Sequence, residues 1–234
     1  MKLFVFPHAG GFSRYYAFLK KAQYRNIDDV VLYEYANRNP ALHKTQPATF
    51  AERVERAADF ITAETNGTEP YAVFGHSMGA FVAYESALLM KRTGRSVPQQ
   101  IFLSGQRPPC TVEEGYFTAN PDIAIPYLRS LGGMDMLLDA DPMIRKFYLP
   151  IILGDLKLLE TYQPSIPEPS ERLKECVLLY GDHDAELDGR DLTRWTEHFE
   201  RVKSRYIFSG NHFYLDQNHD RVADIINTET ECTK

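Results

Sequence analysis

Six short apolar runs recur along the chain. They are rich in β-branched and aromatic side chains, and apolar and polar positions do not alternate within them. The runs are LFVF (3–6), VVLYEY (30–35), YAVF (71–74), IFLS (101–104), VLLY (177–180) and YIF (206–208). Runs of this kind are typical of parallel strands that are buried on both faces of a sheet.

Segments with helical spacing lie between these runs. In TFAERVERAADFITAE (49–64) the apolar residues fall three, four, seven or eight positions apart. Thr49, followed three residues later by Glu52, predicts a capping box at the start of that helix. Because strand and helix patterns alternate, the predicted fold class is α/β, with a mostly parallel sheet and helices on both faces.

One segment breaks this alternation. About seventy residues separate IFLS from VLLY, which is too many for a single crossover. They contain two apolar stretches with helical character, IPYLRSLGGMDMLL (125–138) and MIRKFYLPIILGDLKLLETY (143–162). We therefore predict one domain over residues 1–234, with a helical lid insertion at about 110–165 that folds over the carboxyl edge of the sheet. QPSIPEPSER (163–172) is predicted to return as an extended connection.

Composition narrows the classes of function. The 234 residues carry a formal net charge of −6, and Lys and Arg do not cluster as a nucleic-acid-binding surface requires. Cys110, Cys176 and Cys232 have neither metal-ligand spacing nor a disulfide framework, so reduced thiols are expected. The first residues lack the apolar core of a signal peptide, and no apolar run is long enough to span a membrane. We expect a cytoplasmic protein that binds neither nucleic acid nor membrane.

The stretch YAVFGHSMGA (71–80) carries the strongest chemical signal. It contains G-x-S-x-G at the point where a strand pattern passes into a helix pattern. Glycines on both sides of a serine allow a sharp turn that presents the hydroxyl at the carboxyl edge of the sheet, next to the positive end of a helix. Ser77 is therefore the candidate nucleophile.

A nucleophilic serine requires a histidine base, and in this strand-turn-helix setting the chain order is serine, acid, histidine. Of the seven histidines, His212 fits best, because it follows the last apolar run in the glycine-bearing loop SGNHFYL. His8, His43 and His76 come too early or adjoin Ser77, His198 lies in the helical pattern RWTEHFERV, and His219 begins a predicted helix. His183 lies in the preceding loop, crowded against acidic residues.

The acid is expected in the loop that follows VLLY. That loop reads GDHDAELDGRD and offers Asp182, Asp184 and Asp188. Asp184, three residues beyond Gly181, is the preferred partner of the histidine, with Asp182 as the alternative. The other acids suit turns or helix caps.

A tetrahedral intermediate also needs backbone N–H donors. One is expected at Met78, directly after the nucleophile. The other is expected in FPHAGGF, which follows the first strand and has two glycines that let the backbone approach a substrate closely. Ala9 is the preferred donor and Gly10 the alternative.

Taken together, FPHAGG, FGHSMGA, GDHD and GNHFYL resemble the type II thioesterases, stand-alone α/β-hydrolases that accompany nonribosomal peptide and polyketide synthases. The resemblance extends through LSGQRPP and LRSLGGM and so spans almost the whole chain. It implies hydrolysis of acyl thioesters on the phosphopantetheine arm of carrier domains, with Ser77, Asp184 and His212 as a triad and Ala9 and Met78 at the oxyanion hole. It also implies no metal or cofactor beyond the partner's pantetheine. We expect the chain to act as a monomer.

One stretch departs from that family. Ala36 and Asn37 stand where Pro-Gly is usual, which leaves Arg38 in register without an assigned role. Two other functions remain open at this stage: a free-standing esterase or lipase that acts on small esters, and a non-catalytic module that binds carriers. Substrate choice is expected to reside in the insertion, where Arg145 and Lys146 are candidates for contact with an acidic carrier.

Overall fold

The computed structural model describes residues 1–38, 46–132, 139, 142–164 and 166–231. Six strands form one sheet, and every strand pair within it is parallel. The strands are β1 (Lys2–Phe6), β2 (Asp29–Leu32), β3 (Tyr71–His76), β4 (Gln100–Ser104), β5 (Leu173–Gly181) and β6 (Phe199–Phe208). The prediction of a parallel sheet built from the six apolar runs is confirmed.

The strand order, β2-β1-β3-β4-β5-β6, reverses direction between β1 and β3. At such a switch point the loops beyond the carboxyl ends of two neighbouring strands diverge and leave a crevice where ligands bind. The loop that follows β1 begins at Pro7, and the loop that follows β3 begins at Ser77. The topology therefore places the glycine-rich loop beside the candidate nucleophile.

Within the described residues, six α-helices accompany the sheet. They are α1 (Ala17–Lys21), α2 (Phe50–Glu64), α3 (Met78–Arg92), α4 (Pro121–Ser130), α5 (Pro142–Leu159) and α6 (His219–Glu231). Phe4 and Phe6 pack with α2 and α3 in one buried cluster, whereas Leu3 and Val5 pack with α1 and α6 in another. The sheet is therefore covered on both faces, as predicted, and alternate residues of β1 belong to opposite cores.

The predicted cap of α2 forms with one difference. The Thr49 hydroxyl accepts a hydrogen bond from the Glu52 N–H at 3.2 Å. The Glu52 carboxylate accepts from the N–H of Ala48 at 2.7 Å rather than from that of Thr49. Each side chain still satisfies a backbone donor near the first turn.

The prediction of a helix over RWTEHFERV (194–202) is wrong beyond Glu197. A 3₁₀ helix covers Leu192–Glu197, and β6 begins at Phe199, well before the predicted YIF run. Eight residue pairs join β6 to β5, so backbone pairing with a neighbouring strand fixes a segment whose side chains suit a helix. His198, predicted on a helix, is buried in the turn between them.

In the described part of the insertion between β4 and β5, the chain forms two α-helices, α4 and α5. The predicted helices at 125–138 and 143–162 correspond to them, although residues 133–138 lie outside the described residues. The described residues of the connection over 163–172 form a short 3₁₀ turn at Pro169–Glu171 and otherwise belong to no helix or strand, whereas Ser165 lies outside the described residues. That the connection is extended stays a prediction. That these helices act as a lid within one domain stays a prediction.

Three apolar residues beside Arg145 and Lys146 do not pack into the core. Met143, Ile144 and Phe147 are 73%, 45% and 55% exposed. The second half of α5 carries the buried residues instead, namely Ile152, Asp155, Leu156, Leu158 and Leu159. The core thus contacts α5 mainly through that half, whereas the first turns of the helix expose Met143, Ile144 and Phe147.

Cys110 and Cys176 are free thiols, and Cys232 lies outside the described residues. Among the helices that the structure describes, none has the length and apolar content needed to cross a membrane.

Candidate active site

Ser77 lies at the turn between β3 and α3 in a strained backbone conformation. Its φ is 55° and its ψ is −125°, in a region that residues with side chains rarely adopt. A Cβ on Gly75 would lie 2.1 Å from the Gly79 carbonyl oxygen, and one on Gly79 would lie 2.0 Å from the Phe6 carbonyl oxygen. The two glycines are therefore sterically required, which gives the G-x-S-x-G pattern a physical cause.

His212 and Asp184 meet at the neighbouring strand ends. His212 follows β6 and Asp184 follows β5, and the histidine Nδ1 lies 2.9 Å from each carboxylate oxygen. Both side chains are buried, with exposed fractions of 1% and 0%. An ionised carboxylate only accepts hydrogen bonds, so Nδ1 carries the proton and Nε2 keeps a free lone pair.

The Nε2 atom of His212 is buried and has no hydrogen-bond partner within the described residues. The imidazole is therefore held from one side and left open on the other. An orphaned basic nitrogen of this kind is the arrangement that a general base requires before substrate binds.

Asp182, the alternative acid, lies elsewhere. Its Oδ1 accepts from the N–H of Gly210 at 2.9 Å and lies 2.6 Å from Nδ1 of His183. The hydrogen bond from Gly210, followed by that from His183, lowers the pKa of the Asp182 carboxyl. The structure thus brings Asp184 to His212 and gives Asp182 a loop-bracing position. Asp188 is exposed.

Ser77 and His212 line one small cavity together with residues of the glycine-rich loop and the insertion. Its volume is about 20 Å³, room for roughly one water molecule. The walls are formed by His8, Ala9, Ser77, Met78, Gln106, Phe117, Tyr127, Leu128, Leu131, Leu156, Leu159, His212 and Phe213. The candidate nucleophile, base and N–H donors therefore share one enclosure whose apolar walls come mostly from α4 and α5.

The two preferred oxyanion donors are both unengaged. Neither the Ala9 N–H nor the Met78 N–H donates a hydrogen bond to any described residue. The Gly10 N–H, by contrast, donates to Oδ2 of Asp155 at 2.8 Å, and the Gly11 N–H donates to the His8 carbonyl at 2.9 Å. This pattern favours Ala9 over the alternative Gly10.

Two other histidines stand beside the candidate base. The ring centroid of His76 lies 4.9 Å from that of His212, and its Nδ1 lies 2.8 Å from the Ser104 hydroxyl. His8 pairs through Nδ1 with the Tyr16 hydroxyl at 2.7 Å. Burial lowers the pKa of His8 to about 3 and that of His76 well below its ordinary value, with the charge of His212 adding to both shifts. Both rings are therefore neutral at physiological pH.

No sequence pattern assigns a role to Arg38, Arg53 or Asp155, yet these three form a buried ion cluster beside the glycine-rich loop. Asp155 Oδ2 lies 2.6 Å from Arg38 Nη2, and Oδ1 lies 2.8 Å from Arg53 Nη2. A usable signal was present in the sequence. Arg53 falls on the apolar face of α2, and Asp155 interrupts the apolar stretch IILGDLKLL.

A second buried carboxylate lies next to the candidate acid. Glu186 accepts from Arg107 Nε at 2.8 Å and from the hydroxyls of Tyr116 and Tyr127 at 2.9 and 2.7 Å. Its own N–H donates to Asp184 at 3.0 Å. Glu186 thus connects the acid loop to α4, whose Tyr127 faces the cavity.

Across the described part of the chain, no group of three His, Cys, Asp or Glu residues is arranged to hold a metal ion. The candidate site consists of a serine, an imidazole, a carboxylate and two backbone N–H groups. Comparison with known proteins identifies the family of this chain. Residues 1–230 match the family described as Thioesterase domain.

This chain belongs to the thioesterase domain family. The thioesterase is 30% identical over 234 residues to thioesterase PikA5 of Streptomyces venezuelae, with 96% of this chain and 79% of PikA5 covered. It is also similar to the solved structure of the type II thioesterase BorB from the borrelidin biosynthetic cluster, with a TM-score of 0.81, 27% identity, and 97% and 91% of the two chains covered. The resemblance to type II thioesterases and the α/β-hydrolase fold are confirmed.

A third relative is a much larger protein. The thioesterase is 32% identical over 229 residues to phenyloxazoline synthase MbtB of Mycobacterium tuberculosis, and the match covers 96% of this chain. The chain spans only 16% of the length of that synthase.

Proposed function

We propose that this thioesterase hydrolyses acyl thioesters held on the phosphopantetheine arms of carrier proteins in nonribosomal peptide or polyketide synthesis. The observation that carries the proposal is the pairing of Asp184 with His212 Nδ1, which leaves Nε2 unpartnered in the cavity that Ser77 also lines. The family match and the pathway names of the relatives support thioesters as the substrate class.

In the proposed reaction, His212 Nε2 accepts the Ser77 hydroxyl proton while the oxygen attacks the thioester carbonyl. The oxyanion that forms is stabilised by the N–H groups of Ala9 and Met78. A preorganised donor of this kind is worth about 3–4 kcal/mol in the transition state. Asp184 holds the imidazole tautomer and stabilises the imidazolium that forms, without taking up the proton itself.

Collapse of the tetrahedral intermediate expels the pantetheine thiolate, which takes the proton from the His212 imidazolium and leaves as the thiol. An acyl group stays on Ser77, and His212 is again neutral. A thiol has a pKa of about 8.5, so its departure needs little help from an acid. A water molecule then loses its proton to His212, attacks the acyl-serine, and releases the free acid. Ser77 regains its proton from the imidazolium, which completes the cycle without a metal or redox step.

The acyl chain is proposed to bind where the cavity is now closed. A volume of about 20 Å³ holds no acyl group, so substrate must displace the apolar side chains that α4 and α5 place over Ser77. These include Leu128, Leu131, Leu156 and Leu159. Their size and packing are proposed to set the length of acyl chain that is accepted.

The partners follow from this substrate. We propose that the thioesterase meets carrier domains of a synthase as a soluble monomer in the cytoplasm, with the exposed first half of α5 near the entrance. Arg145 and Lys146 are exposed there and are proposed to contact the acidic surface of a carrier.

A direct comparison of substrates tests the function. Hydrolysis of an acyl group on a phosphopantetheinylated carrier is measured beside hydrolysis of the same acyl group as a simple ester and as a pantetheine thioester. We expect kcat/KM to be highest for the carrier-bound thioester. Preference for the simple ester would instead assign the protein as an esterase. Binding of the carrier without turnover of any of the three substrates would assign it as a non-catalytic module.

A further inference from the structure

We infer that Asp155 is a positioning residue for the oxyanion site. It lies on α5, in the insertion, and braces the glycine-rich loop and the start of α3, which hold the two candidate N–H donors. This inference rests on the proposed function, because it assigns a role in stabilising the oxyanion that Ser77 attack would create.

On the loop side, the contacts are direct. Asp155 Oδ2 accepts the Gly10 N–H at 2.8 Å, which fixes the peptide plane that joins Gly10 to Ala9. Arg38, ion-paired to the same oxygen, donates through Nε to the Gly11 carbonyl at 2.8 Å. A loop with two consecutive glycines has high conformational freedom, so these bonds supply the constraint that its own side chains cannot.

On the helix side, the bracing passes through Arg53. Its Nη2 lies 2.8 Å from Asp155 Oδ1, and its Nη1 lies 3.0 Å from Met78 Sδ. Met78 is the first residue of α3 and carries the second candidate donor. A single carboxylate is thus connected to both loops whose N–H groups face the cavity.

The carboxylate is fully satisfied in this arrangement. Besides Gly10 N, Arg38 and Arg53, it accepts from Asn37 Nδ2 at 2.8 Å, so its lone-pair positions are all used. Burial raises the pKa of the Asp155 carboxyl, but the charges of Arg53 and Arg38 outweigh burial and bring it below the ordinary value. Asp155 is therefore ionised at neutral pH, with its full charge available to hold the four donors.

The location of Asp155 on α5 adds a coupling to the insertion. A Cβ on Gly10 would lie 2.3 Å from Ile152 Cγ1, so α5 packs directly on the loop. Ile152 and Asp155 lie three residues apart on one face of the helix, one in apolar contact with the loop and the other hydrogen-bonded to it. The oxyanion loop is therefore held in shape by α5, which also supplies walls to the acyl cavity.

Asp155→Asn tests this inference, because the amide keeps the size of the side chain but cannot accept from all four donors. We expect kcat for an acyl-pantetheine thioester to fall about 100-fold, the size of effect that a displacement of about 1 Å produces in a catalytic group. KM should stay within about two-fold, since the lost interaction acts in the transition state. Phosphonylation of Ser77 by a fluorophosphonate should slow in parallel, because its phosphoryl oxygen needs the same donors.

Two further variants separate positioning from stability. Glu175 is another buried carboxylate that pairs with an arginine, Arg201, but it lies on β5, away from the cavity. Glu175→Gln should leave kcat unchanged even where it lowers Tm as much as Asp155→Asn does. If Asp155→Asn does not fold, Arg53→Met/Asp155→Asn keeps the net charge of the cluster and should show the same fall in kcat and in labelling rate.

The inference is overturned if a folded Asp155 variant keeps the kcat and labelling rate of the wild type, or if only its KM changes. Failure of the proposed function has a different signature. In that case the wild type itself fails to hydrolyse carrier-bound thioesters, whereas the effect of Asp155→Asn on fluorophosphonate labelling can still be measured.

Discussion

Asp184 holds the Nδ1 atom of His212 with both carboxylate oxygens at 2.9 Å, although the two residues belong to loops after different strands. The loops can meet because Gly181 and Gly210 pass close together. A Cβ on Gly181 would lie 2.3 Å from the Gly210 carbonyl oxygen. The geometry fixes the tautomer of the imidazole and directs Nε2 away from the carboxylate.

Asp184→Asn should therefore lower kcat by about 10³- to 10⁴-fold, because an amide at this position favours the wrong tautomer of His212. Asp182→Asn is the matched control, two residues away in the same loop, and should lower kcat far less. Steady-state kinetics with an acyl-pantetheine thioester provides the measurement. If Asp182→Asn is the more damaging change, the acid has been assigned to the wrong residue.

Ser77→Ala should abolish thioester hydrolysis, with a loss of at least about 10⁴-fold in kcat. The fold should be retained, because the change removes only one hydroxyl that borders a cavity and no contact within the core. Labelling with a fluorophosphonate, followed by intact-protein mass spectrometry, should modify the wild type once and leave the alanine variant unmodified. Full turnover by the folded alanine variant would contradict the proposed function.

Arg145→Glu/Lys146→Glu should raise KM for a carrier-bound substrate and have a smaller effect on a pantetheine thioester that lacks the carrier. Both side chains are exposed on α5, where charge reversal disturbs no core packing. The difference should shrink as salt is added, since attraction between exposed charges is screened.

The matched control for docking is Lys20→Glu/Lys21→Glu. These residues are an exposed adjacent basic pair at the end of α1, on the opposite face of the sheet. An equal rise in KM from both double variants would mean that overall charge, and not the surface of α5, governs encounter with the carrier.

Stability should fall as the pH drops below about 6.5, and His198 should account for one proton of that dependence. Burial lowers the pKa of His198 to about 4 from an ordinary value of 6.5, and its Nδ1 lies 2.8 Å from the Tyr84 hydroxyl. Between these values the unfolded chain binds a proton that the folded protein does not. Stability therefore rises with pH across this window, by about 1.4 kcal/mol per pH unit for each such group.

Urea unfolding of His198→Gln between pH 5 and 6.5 gives the free energy of unfolding as a function of pH. The slope of that dependence should be smaller than in the wild type by the contribution of about one proton. Glu85→Gln provides a comparison of opposite sign. Burial raises the pKa of Glu85 to about 7, so the folded protein binds the extra proton and this group makes stability fall as pH rises from about 4.5 to 7. Glu85→Gln should therefore make the free energy of unfolding rise more steeply with pH, by the contribution of about one proton. Identical slopes in all three proteins would contradict both assignments.

The local sequence determined where the strands of the sheet lie. The six apolar runs become the six strands because each is buried on contact with its neighbours, and the pattern records that burial. At the turn around Ser77, the glycine at Gly75 has a local cause, because a Cβ there would meet atoms of Gly79 and Ala80. Gly79 is required by the Phe6 carbonyl at the end of β1, which is distant in the sequence. Chain order, together with the position of each histidine relative to the predicted strands and helices, selected His212 from seven histidines as the candidate base.

Tertiary structure decided what depends on partners far along the chain. Asp182 and Asp184 are alike in sequence, and only the approach of the loop after β6 puts one of them against His212. The residues from Phe199 to Val202 form a strand because β5 pairs with them, although the pattern RWTEHFERV predicted a helix there.

The buried cluster around Asp155 shows the same limit. Arg38 and Asp155 are 117 residues apart, and nothing in the spacing of either predicts that they meet beneath the glycine-rich loop. A charged residue in an apolar stretch does indicate that a buried partner exists. Which partner it meets is decided by the packing of α5 against the loop, because a charge is retained in a core only where folding brings compensating donors to it.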